Sequence, residues 1–562
     1  MWNSFLLPPF TPLYLLFFFL LHHLICTVSV ESSSPYTPID QILLNCGSSG
    51  NSTALDGRTW VGDANSKFLP LEQSLNNHAS LTRIAVRQSP TAAQVPFATA
   101  RISLSTFTYD FPVTAGQKFI RLYFYPASYS DFDRSKALFS VKAGPFTLLS
   151  NFNASLTADA DGDPGDTIFR EYCVNIEEDQ RLNITFTPSP TVSDSYAFIN
   201  GIEILSMPPN LYYTPADDPG FSFIGQHNLY SIKNSTALET VYRFNVGGRS
   251  ISPTEDTGMF RGWSQDDKYL KEYDVLFLPL NDTINNLSFT TVPAYAAPEY
   301  VYRTARTLGN DTDINLSYNL TWEFPVDSGF YYFIRLHFCE FQPEIVWSGD
   351  RRFRIFIANQ TTEKDADVIR WSGGNGVPVY KDYAVAMFAK EGDKKVNLYI
   401  AIGAEPRRWM TSYQDAIMNG IEIFKVSDPS NGNLAGPNPD PILVTLPTIE
   451  PPKQSKNSKN SRRTTIFVAV GGVTGLILAS ILGFLIFRTA RREKNSFSTD
   501  WTTWWGPFSL STTKSTKTCR SSLSVALSRR IYCAVESQIQ DNQEGEESQG
   551  LRPYLYALHG WG

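Results

Sequence analysis

The chain has 562 residues, of which 14% are aromatic and 18% charged, and 48 Lys and Arg against 55 Asp and Glu give a net charge of −7. This acidic balance, without a basic run before residue 427, argues against nucleic acid as a partner. Six cysteines in a chain of this length exclude a small disulfide-stapled scaffold, so large hydrophobic cores must hold the fold together.

The first predicted element is a secretory signal peptide over residues 1–29. An apolar run from Leu13 to Leu21 is followed by the small residues Thr27 and Ser29, at a spacing that signal peptidase accepts. Asn-x-Ser/Thr acceptor sites occur before residue 466 and not after it, which predicts an exported, glycosylated ectodomain. The predicted glycan acceptors are Asn51, Asn153, Asn183, Asn234, Asn281, Asn286, Asn310, Asn315, Asn319 and Asn359.

Two passages that follow the signal peptide recur further along the chain. Phe119-Ile-Arg-Leu-Tyr-Phe returns as Phe333-Ile-Arg-Leu-His-Phe, and Ile199-Asn-Gly-Ile-Glu-Ile returns as Met418-Asn-Gly-Ile-Glu-Ile, at offsets of about 200 to 220 residues. Solenoid repeats have periods of only about 20 to 50 residues, so the repeated unit here is a whole domain. The sequence therefore predicts a duplicated domain.

Apolar and polar residues alternate in short runs within both copies. In the second copy Ile334, Leu336 and Phe338 fall on one face of a strand, while His337 and Cys339 fall on the other. Such alternation, with Gly, Pro, Asn and Asp between the runs, predicts an all-β fold of two tandem antiparallel β-sandwich domains. Their predicted bounds are residues 30–207 and 240–426.

The remaining segments are predicted from their composition. Residues 208–239 contain four prolines and are predicted to connect the copies, and residues 427–463 hold seven more and are predicted to form an extended stalk. Residues 466–487 lack charge and would reach about 33 Å as a helix, which predicts one transmembrane span with a cytoplasmic C-terminal side. Residues 488–562 are predicted to be a short disordered tail without a kinase domain.

Small residues recur at every fourth position of the predicted span. This stripe predicts close association with another helix, and the alternative is the general abundance of glycine in spans. Its members are Gly471, Gly475, Ala479 and Gly483.

The chemistry of an enzyme or a metal site is not evident in the sequence. A kinase needs a Gly-rich loop, a strand Lys, His-Arg-Asp and Asp-Phe-Gly, and these motifs do not occur after Phe487, so we expect no enzymatic activity.

His337 and Cys339 lack a third orienting group and are interpreted as ordinary sheet residues. Residues 159–166 begin like a calcium loop, but Pro164 and Arg170 replace the required Gly and Glu. No metal and no cofactor are expected.

The predicted mature ectodomain has three cysteines, which allow at most one internal bridge. Their connectivity cannot be read from the sequence. A bridge within the first copy would join Cys46 to Cys173.

Ligand-binding residues are expected where aromatic residues and Arg occur together in loop-like segments, because this composition is typical of interaction hot spots. The alternative for each of them is packing within the fold. The candidates are Phe260, Arg261, Trp263, Tyr295, Tyr302, Arg407, Arg408, Trp409 and Tyr413.

Longer motifs point to a known family. They are Leu43-Leu-Asn-Cys-Gly, Phe119-Ile-Arg-Leu-Tyr-Phe-Tyr-Pro, Ser235-Thr-Ala-Leu-Glu-Thr-Val-Tyr-Arg-Phe-Asn-Val-Gly-Gly, Arg335-Leu-His-Phe-Cys-Glu and Gly432-Asn-Leu-Ala-Gly-Pro-Asn-Pro. From about residue 39 to residue 522 the chain resembles the plant malectin-like receptor kinases of the FERONIA type. The resemblance implies paired malectin-like domains, one span and a Ser/Thr kinase. It implies three kinds of partner: secreted rapid alkalinisation factor peptides, lipid-anchored co-receptors and wall pectin.

The sequence thus predicts the ectodomain of a single-pass type I receptor at the plasma membrane, facing the cell wall. It would bind secreted peptides or wall carbohydrate and associate with itself or with full-length relatives. Two alternatives remain open. A wall-anchoring lectin would bind acidic pectin through Arg351, Arg352, Arg407 and Arg408. An incomplete sequence of an active receptor Ser/Thr kinase would also fit, because the likeness stops at about residue 522, ahead of any kinase motif.

Overall fold

A computed structural model describes residues 35–64, 66–72, 81–85, 92–160, 167–178, 181–271, 279–281, 287–389 and 392–441. The predicted signal peptide, transmembrane helix with its small-residue stripe, tail, Asn286 and most of the calcium-like loop lie outside these ranges. Among the residues so described, no helix is both long enough and apolar enough to cross a bilayer.

The first copy consists of short strands whose inward positions hold aromatic and β-branched residues, which pack well on a pleated surface. Its strands are β1 (Gln41–Ser49), β2 (Asn51–Thr53), β3 (Thr59–Ala64), β4 (Leu71–Glu72), β5 (Leu81–Ile84), β6 (Thr99–Ser103), β7 (Phe107–Phe111), β8 (Gly116–Phe124), β9 (Leu138–Ala143), β10 (Phe146–Asn153), β11 (Ile168–Ile176), β12 (Leu182–Pro188), β13 (Ala197–Ile199) and β14 (Gly201–Ser206).

The predicted connector adds two strands, and the second copy repeats the pattern of the first. These strands are β15 (Phe221–Phe223), β16 (Leu229–Tyr230), β17 (Leu238–Asn245), β18 (Ser264–Gln265), β19 (Pro279–Asn281), β20 (Thr304–Thr307), β21 (Leu320–Asp327), β22 (Phe330–Phe338), β23 (Phe353–Ile357), β24 (Gln360–Ala366), β25 (Val379–Met387), β26 (Lys395–Ala404), β27 (Ile417–Met418) and β28 (Gly420–Val426).

Helices in the described part of the chain are short and lie between strands. The α-helical turns are Gln94–Phe97, Ala154–Ala160, Glu299–Tyr302, Thr312–Asn315 and Val368–Ser372, and the 3₁₀ turns are Arg134–Lys136, Pro253–Glu255 and Asp267–Tyr269. The fold is therefore mostly β, as the alternation predicts.

One large sheet runs through both copies. Its strands follow the order β16-β15-β25-β22-β28-β17-β11-β8-β14-β1-β3-β2, and β18 pairs with β17 beside this path. The copies meet where β11 pairs antiparallel with β17, with Tyr172 opposite Glu239 and Cys173 opposite Leu238. The sequence predicts two tandem sandwiches, and the structure adds that the two copies share one hydrogen-bonded sheet.

A second layer covers this sheet in each copy. In the first copy it is the five-stranded sheet β10-β9-β12-β7-β4, and in the second it is the four-stranded sheet β21-β26-β23-β24. Ile334, Leu336 and Phe338 lie in the core of the second copy, whereas Cys339 lies in a different buried cluster, as the alternation predicts. A third apolar cluster, which includes Phe119 of the first copy and Phe424 of the second, joins the two copies.

The predicted connector is part of the fold. Tyr212 and Ile232 are buried in the cluster between the copies. Within the same segment β15 pairs parallel with β25 of the second copy. A proline-rich composition predicts few regular hydrogen bonds, but it gives no information on such docking.

The beginning of the predicted stalk also lies against the fold. Leu434 is fully buried in the core of the first copy, and its backbone N–H donates to Thr147 at 2.9 Å. The Asn438 side chain accepts from the Asn153 backbone at 2.9 Å and donates to the Asn151 carbonyl at 2.7 Å. We call residues 427–441 the return segment. The prediction of an extended stalk is therefore wrong for these residues.

The three cysteines of the described residues are buried, and Cys46 and Cys173 are free thiols. Cys46 lies in the core of the first copy, and Cys173 lies in the cluster between the copies. The two thiols thus belong to different packing layers, so the predicted Cys46–Cys173 bridge does not form in this fold.

Candidate functional site

Three of the predicted binding residues are core residues. Arg261, Trp263 and Tyr302 have no exposed surface. The Arg261 guanidinium donates to both carboxylate oxygens of Asp256, at 2.9 and 3.0 Å, and to the Tyr212 hydroxyl at 3.0 Å. These side chains cannot contact a partner in the folded chain, so the expectation that they bind a ligand is corrected. Their Arg and aromatic composition serves an internal polar network.

His337 belongs to the same network. Burial lowers the pKa of His337, which outweighs the opposing effect of Glu422, whose Oε2 lies 3.0 Å from the His337 Nε2. Burial alone would raise the pKa of Glu422, but His337 and Arg243 lower it by more than burial raises it. The pKa of Glu422 is therefore below its ordinary value, and the carboxylate is ionised. Because an ionised carboxylate only accepts, the neutral imidazole donates from Nε2 and accepts from the Tyr302 hydroxyl at Nδ1, over 2.9 Å.

Phe260 and Tyr295 are half-buried beside this network. The Arg58 guanidinium lies 4.4 Å from the centroid of the Phe260 ring. The ring centroids of Tyr295 and Tyr36 are 6.2 Å apart. Both predicted binding residues therefore already have partners within the chain.

The other four predicted residues lie together in an exposed loop of the second copy. Trp409 is 82% exposed and Tyr413 is 41% exposed. Arg407 and Arg408 are exposed on the same loop, which follows β26. This loop retains the features of a binding surface that the buried candidates lack.

A second exposed tryptophan lies on the neighbouring loop. It is not among the binding residues predicted from the sequence. Trp347 is 74% exposed and follows β22. Asp350 joins the two loops, because its carboxylate accepts from the Trp347 backbone at 2.8 Å while its carbonyl accepts from the Tyr413 backbone at 2.7 Å. A lone Trp in a segment bounded by Pro343 and Gly349 was the available indication of an exposed ring.

A third segment completes this end of the second copy. The side-chain amide of Asn315 donates to the carbonyl of Gln414 at 2.9 Å, and the Leu308 backbone donates to Asp415 at 2.7 Å. Residues 309–317, 340–352 and 405–415 thus form one surface, which we call the tryptophan end.

The arginines proposed to bind acidic sugars are each paired with carboxylates. Arg351 is buried and contacts Glu340 at 2.6 Å and Asp415 at 3.0 Å. For Arg352 the carboxylate is Asp365, for Arg407 it is Glu405, and for Arg408 it is Asp313. Arg351 is buried and cannot reach a ligand, and each of the other three guanidinium groups already has a carboxylate partner. These contacts argue against the lectin alternative.

The predicted glycan acceptors differ in exposure. Asn153 is half-buried, and only the backbone of Asn281 is described. Asn315 is buried, and its Nδ2 also donates to Gly309 at 2.7 Å, so the folded chain does not present it for glycan attachment. The exposed acceptors are Asn51, Asn183, Asn234, Asn310, Asn319 and Asn359.

Comparison with known proteins shows to which family this chain belongs. The family model of the malectin-like domain matches residues 44–426. The chain belongs to the malectin-like family. It is 43% identical over 493 residues to the receptor-like protein kinase FERONIA of Arabidopsis thaliana, covering 87% of this chain and 53% of FERONIA. It is 35% identical over 487 residues to the receptor-like protein kinase ANXUR1 of the same plant, covering 84% of this chain and 54% of ANXUR1. The chain thus spans about half the length of these curated relatives.

Solved malectin-like ectodomains have the same fold. The crystal structure of the plant receptor-like kinase FER matches with a TM-score of 0.64 and 45% identity, covering 72% of this chain and 100% of that chain. A crystal structure of the plant peptide RALF23 in complex with FER and LLG2 matches with a TM-score of 0.63 and 44% identity, covering 72% of this chain and 99% of that one. The expected resemblance to FERONIA-type receptors is therefore confirmed.

Proposed function

We propose that this chain provides the ligand-binding ectodomain of a plasma-membrane receptor, which binds a secreted peptide together with a lipid-anchored co-receptor. The observation that carries the proposal is the match along 99% of the FER chain that was crystallised with the peptide RALF23 and with LLG2. Exposed aromatic residues at the tryptophan end agree with a role in binding.

The membrane topology is part of the same proposal. The signal peptide over residues 1–29 would export the chain, residues 466–487 would anchor it, and the small-residue stripe would pair it with another receptor helix. Because the chain spans about half the length of its curated relatives, their kinase activity is not carried over to it.

Binding of labelled RALF23 to the tagged full-length chain on plant cells tests this proposal. We expect saturable binding that strengthens when the LLG2 ectodomain is added, relative to cells that lack the chain. Saturable binding of an oligogalacturonide without any binding of RALF23 would instead favour the wall-anchoring alternative and overturn the peptide proposal.

A further inference from the structure

We infer that the tryptophan end is a docking surface for a cationic polypeptide segment that carries apolar side chains. This inference rests on the proposed function and adds to it the location of the binding surface and the chemistry of its partner. Three properties of the surface carry it: exposed indole rings, a fixed backbone and an acidic balance of charge.

The exposed rings come first. Trp347 and Trp409 lie on two loops that are bound to each other, and most of each side chain is open to solvent. Ile314 and Leu316 of the third segment are exposed as well. Large exposed rings on a folded surface are typical of interaction sites, because their burial by a partner releases much apolar area from water.

The backbone beneath the rings is fixed before any partner arrives. Asp350 accepts from the backbones of Val346 and Trp347, at 3.0 and 2.8 Å, and thereby closes the first loop. The Ser412 backbone donates to Gly349 at 3.2 Å, which binds the second loop to the first. A surface that is already ordered loses little conformational entropy on binding, so its exposed rings can contribute to affinity.

The charge of the surface selects the partner. The three segments carry seven carboxylates and four guanidinium groups, and each guanidinium has a carboxylate partner. Asp311 and Glu344 are exposed carboxylates outside these ion pairs, and Asp313, the partner of Arg408, is exposed as well. An acidic polysaccharide would find no free cation and would meet this excess of negative charge, whereas a cationic segment would be attracted. We therefore assign a polypeptide and not pectin to the surface.

Substitution of both rings tests the inference on the purified full-length chain, captured through a C-terminal tag. The probes are RALF23 with the LLG2 ectodomain, a synthetic Lys- and Leu-rich peptide, its Glu-substituted counterpart and an oligogalacturonide. We expect the double variant Trp347→Ala with Trp409→Ala to bind RALF23 and the Lys-rich peptide at least tenfold more weakly. Asp313→Lys with Glu344→Lys should weaken binding of both cationic probes and reduce its sensitivity to salt.

Phe388→Ala is the matched control. Phe388 is a 60% exposed ring on the same copy. It follows β25 at the point where Met387 pairs with Phe330, the first residue of β22, whereas the tryptophan end follows the last residue of β22. The control should bind all probes within twofold of the unaltered chain, and unchanged thermal midpoints would show that the variants are folded.

The outcomes separate the inference from the proposed function. If the unaltered chain binds RALF23 and the double tryptophan variant binds it equally well, the inference is overturned while the proposed function stands. If only the Lys-rich peptide binds, and does so through the tryptophans, the inference stands without RALF23 as the ligand. Tryptophan-dependent binding of the oligogalacturonide or the Glu-substituted peptide, or no binding of either cationic probe, would overturn the inference.

Discussion

Glu171 connects the two copies through a single carboxylate. It accepts from Arg121 of the first copy at 2.7 Å, and from Arg243 and Thr240 of the second copy at 3.0 and 2.8 Å. Burial raises the pKa of this carboxyl, but Arg243 and Arg121 together lower it to about 2. Glu171 is therefore ionised in the folded chain at any pH well above 2.

This lowered pKa predicts a loss of stability in acid. The unfolded carboxyl titrates near 4.5 and the folded one near 2, so the unfolded state binds more protons between these values. Above pH 4.5 the ionised Glu171 carboxylate contributes on the order of 3 kcal/mol to the free energy of unfolding. This contribution disappears as the pH falls towards 2. Glu171→Gln should be less stable at pH 7, yet lose less stability between pH 5 and pH 3, as measured by urea unfolding.

The exposed residue Glu344 provides the control for this experiment. Glu344→Gln should follow the unaltered chain throughout the pH range, because its carboxylate is open to solvent. An equal slope for Glu171→Gln and the unaltered chain would mean that another carboxylate causes the loss in acid.

Asp350 predicts a local effect at the tryptophan end. Asp350→Ala would leave the backbone N–H groups of Val346 and Trp347 without their acceptor, at a cost of about 1–2 kcal/mol for the local structure. We expect faster amide hydrogen exchange at these two residues, with a nearly unchanged thermal midpoint. Asp350→Asn keeps one acceptor oxygen and should be intermediate. Unchanged exchange in the Ala variant would show that other contacts hold the loop.

At the scale of elements, duplication and alternation predict most of what the structure contains. Phe330–Phe338 lies where its period of two predicts a strand, and it packs Ile334, Leu336 and Phe338 in the core. The burial of Arg261 was not predictable, because a nearby Asp256 is equally compatible with an exposed ion pair, and its distant partner Tyr212 is brought to it only by the tertiary fold. A loop-like segment with Arg and aromatic residues has the same sequence composition whether its side chains face solvent or an internal carboxylate.

The docking of the return segment against the fold was not predicted, for a related reason. Its prolines exclude regular strand pairing, but a single apolar side chain is enough to dock an extended chain. Leu434 supplies that side chain, and Lys425 of β28 donates to its carbonyl at 3.0 Å while also contacting Glu239 and Asp327. The segment therefore contacts both copies.

Truncation of this side chain should release the return segment. Leu434→Ala removes a fully buried side chain, and we expect a loss of about 2–5 kcal/mol together with faster proteolytic cleavage within residues 427–441. Leu229→Ala is the matched control, because Leu229 is 51% exposed on β16. Equal cleavage of the two variants would contradict the docking of the return segment.

At the scale of the whole molecule, the two copies are joined by more than chain connectivity. The sheet is continuous across β11 and β17, an apolar cluster lies between the copies, and the buried ion pair of Arg243 with Glu171 crosses the junction. Buried charges that lose one partner are costly, so Glu171 of the first copy depends in part on Arg243 of the second copy for its neutralisation. A duplicated sequence has thus produced two copies that share one sheet and one buried cluster.

This dependence predicts one unfolding transition for both copies in differential scanning calorimetry. Arg243→Ala would leave Glu171 and Glu422 each without one cation, which costs about 3–5 kcal/mol and should lower the thermal midpoint and divide the transition in two. Arg249→Ala, which removes an exposed ion pair with Glu255, should cost less than about 1 kcal/mol and keep a single transition. Two transitions in the unaltered chain would show instead that the copies unfold independently, and the shared sheet would then contribute little to their coupling.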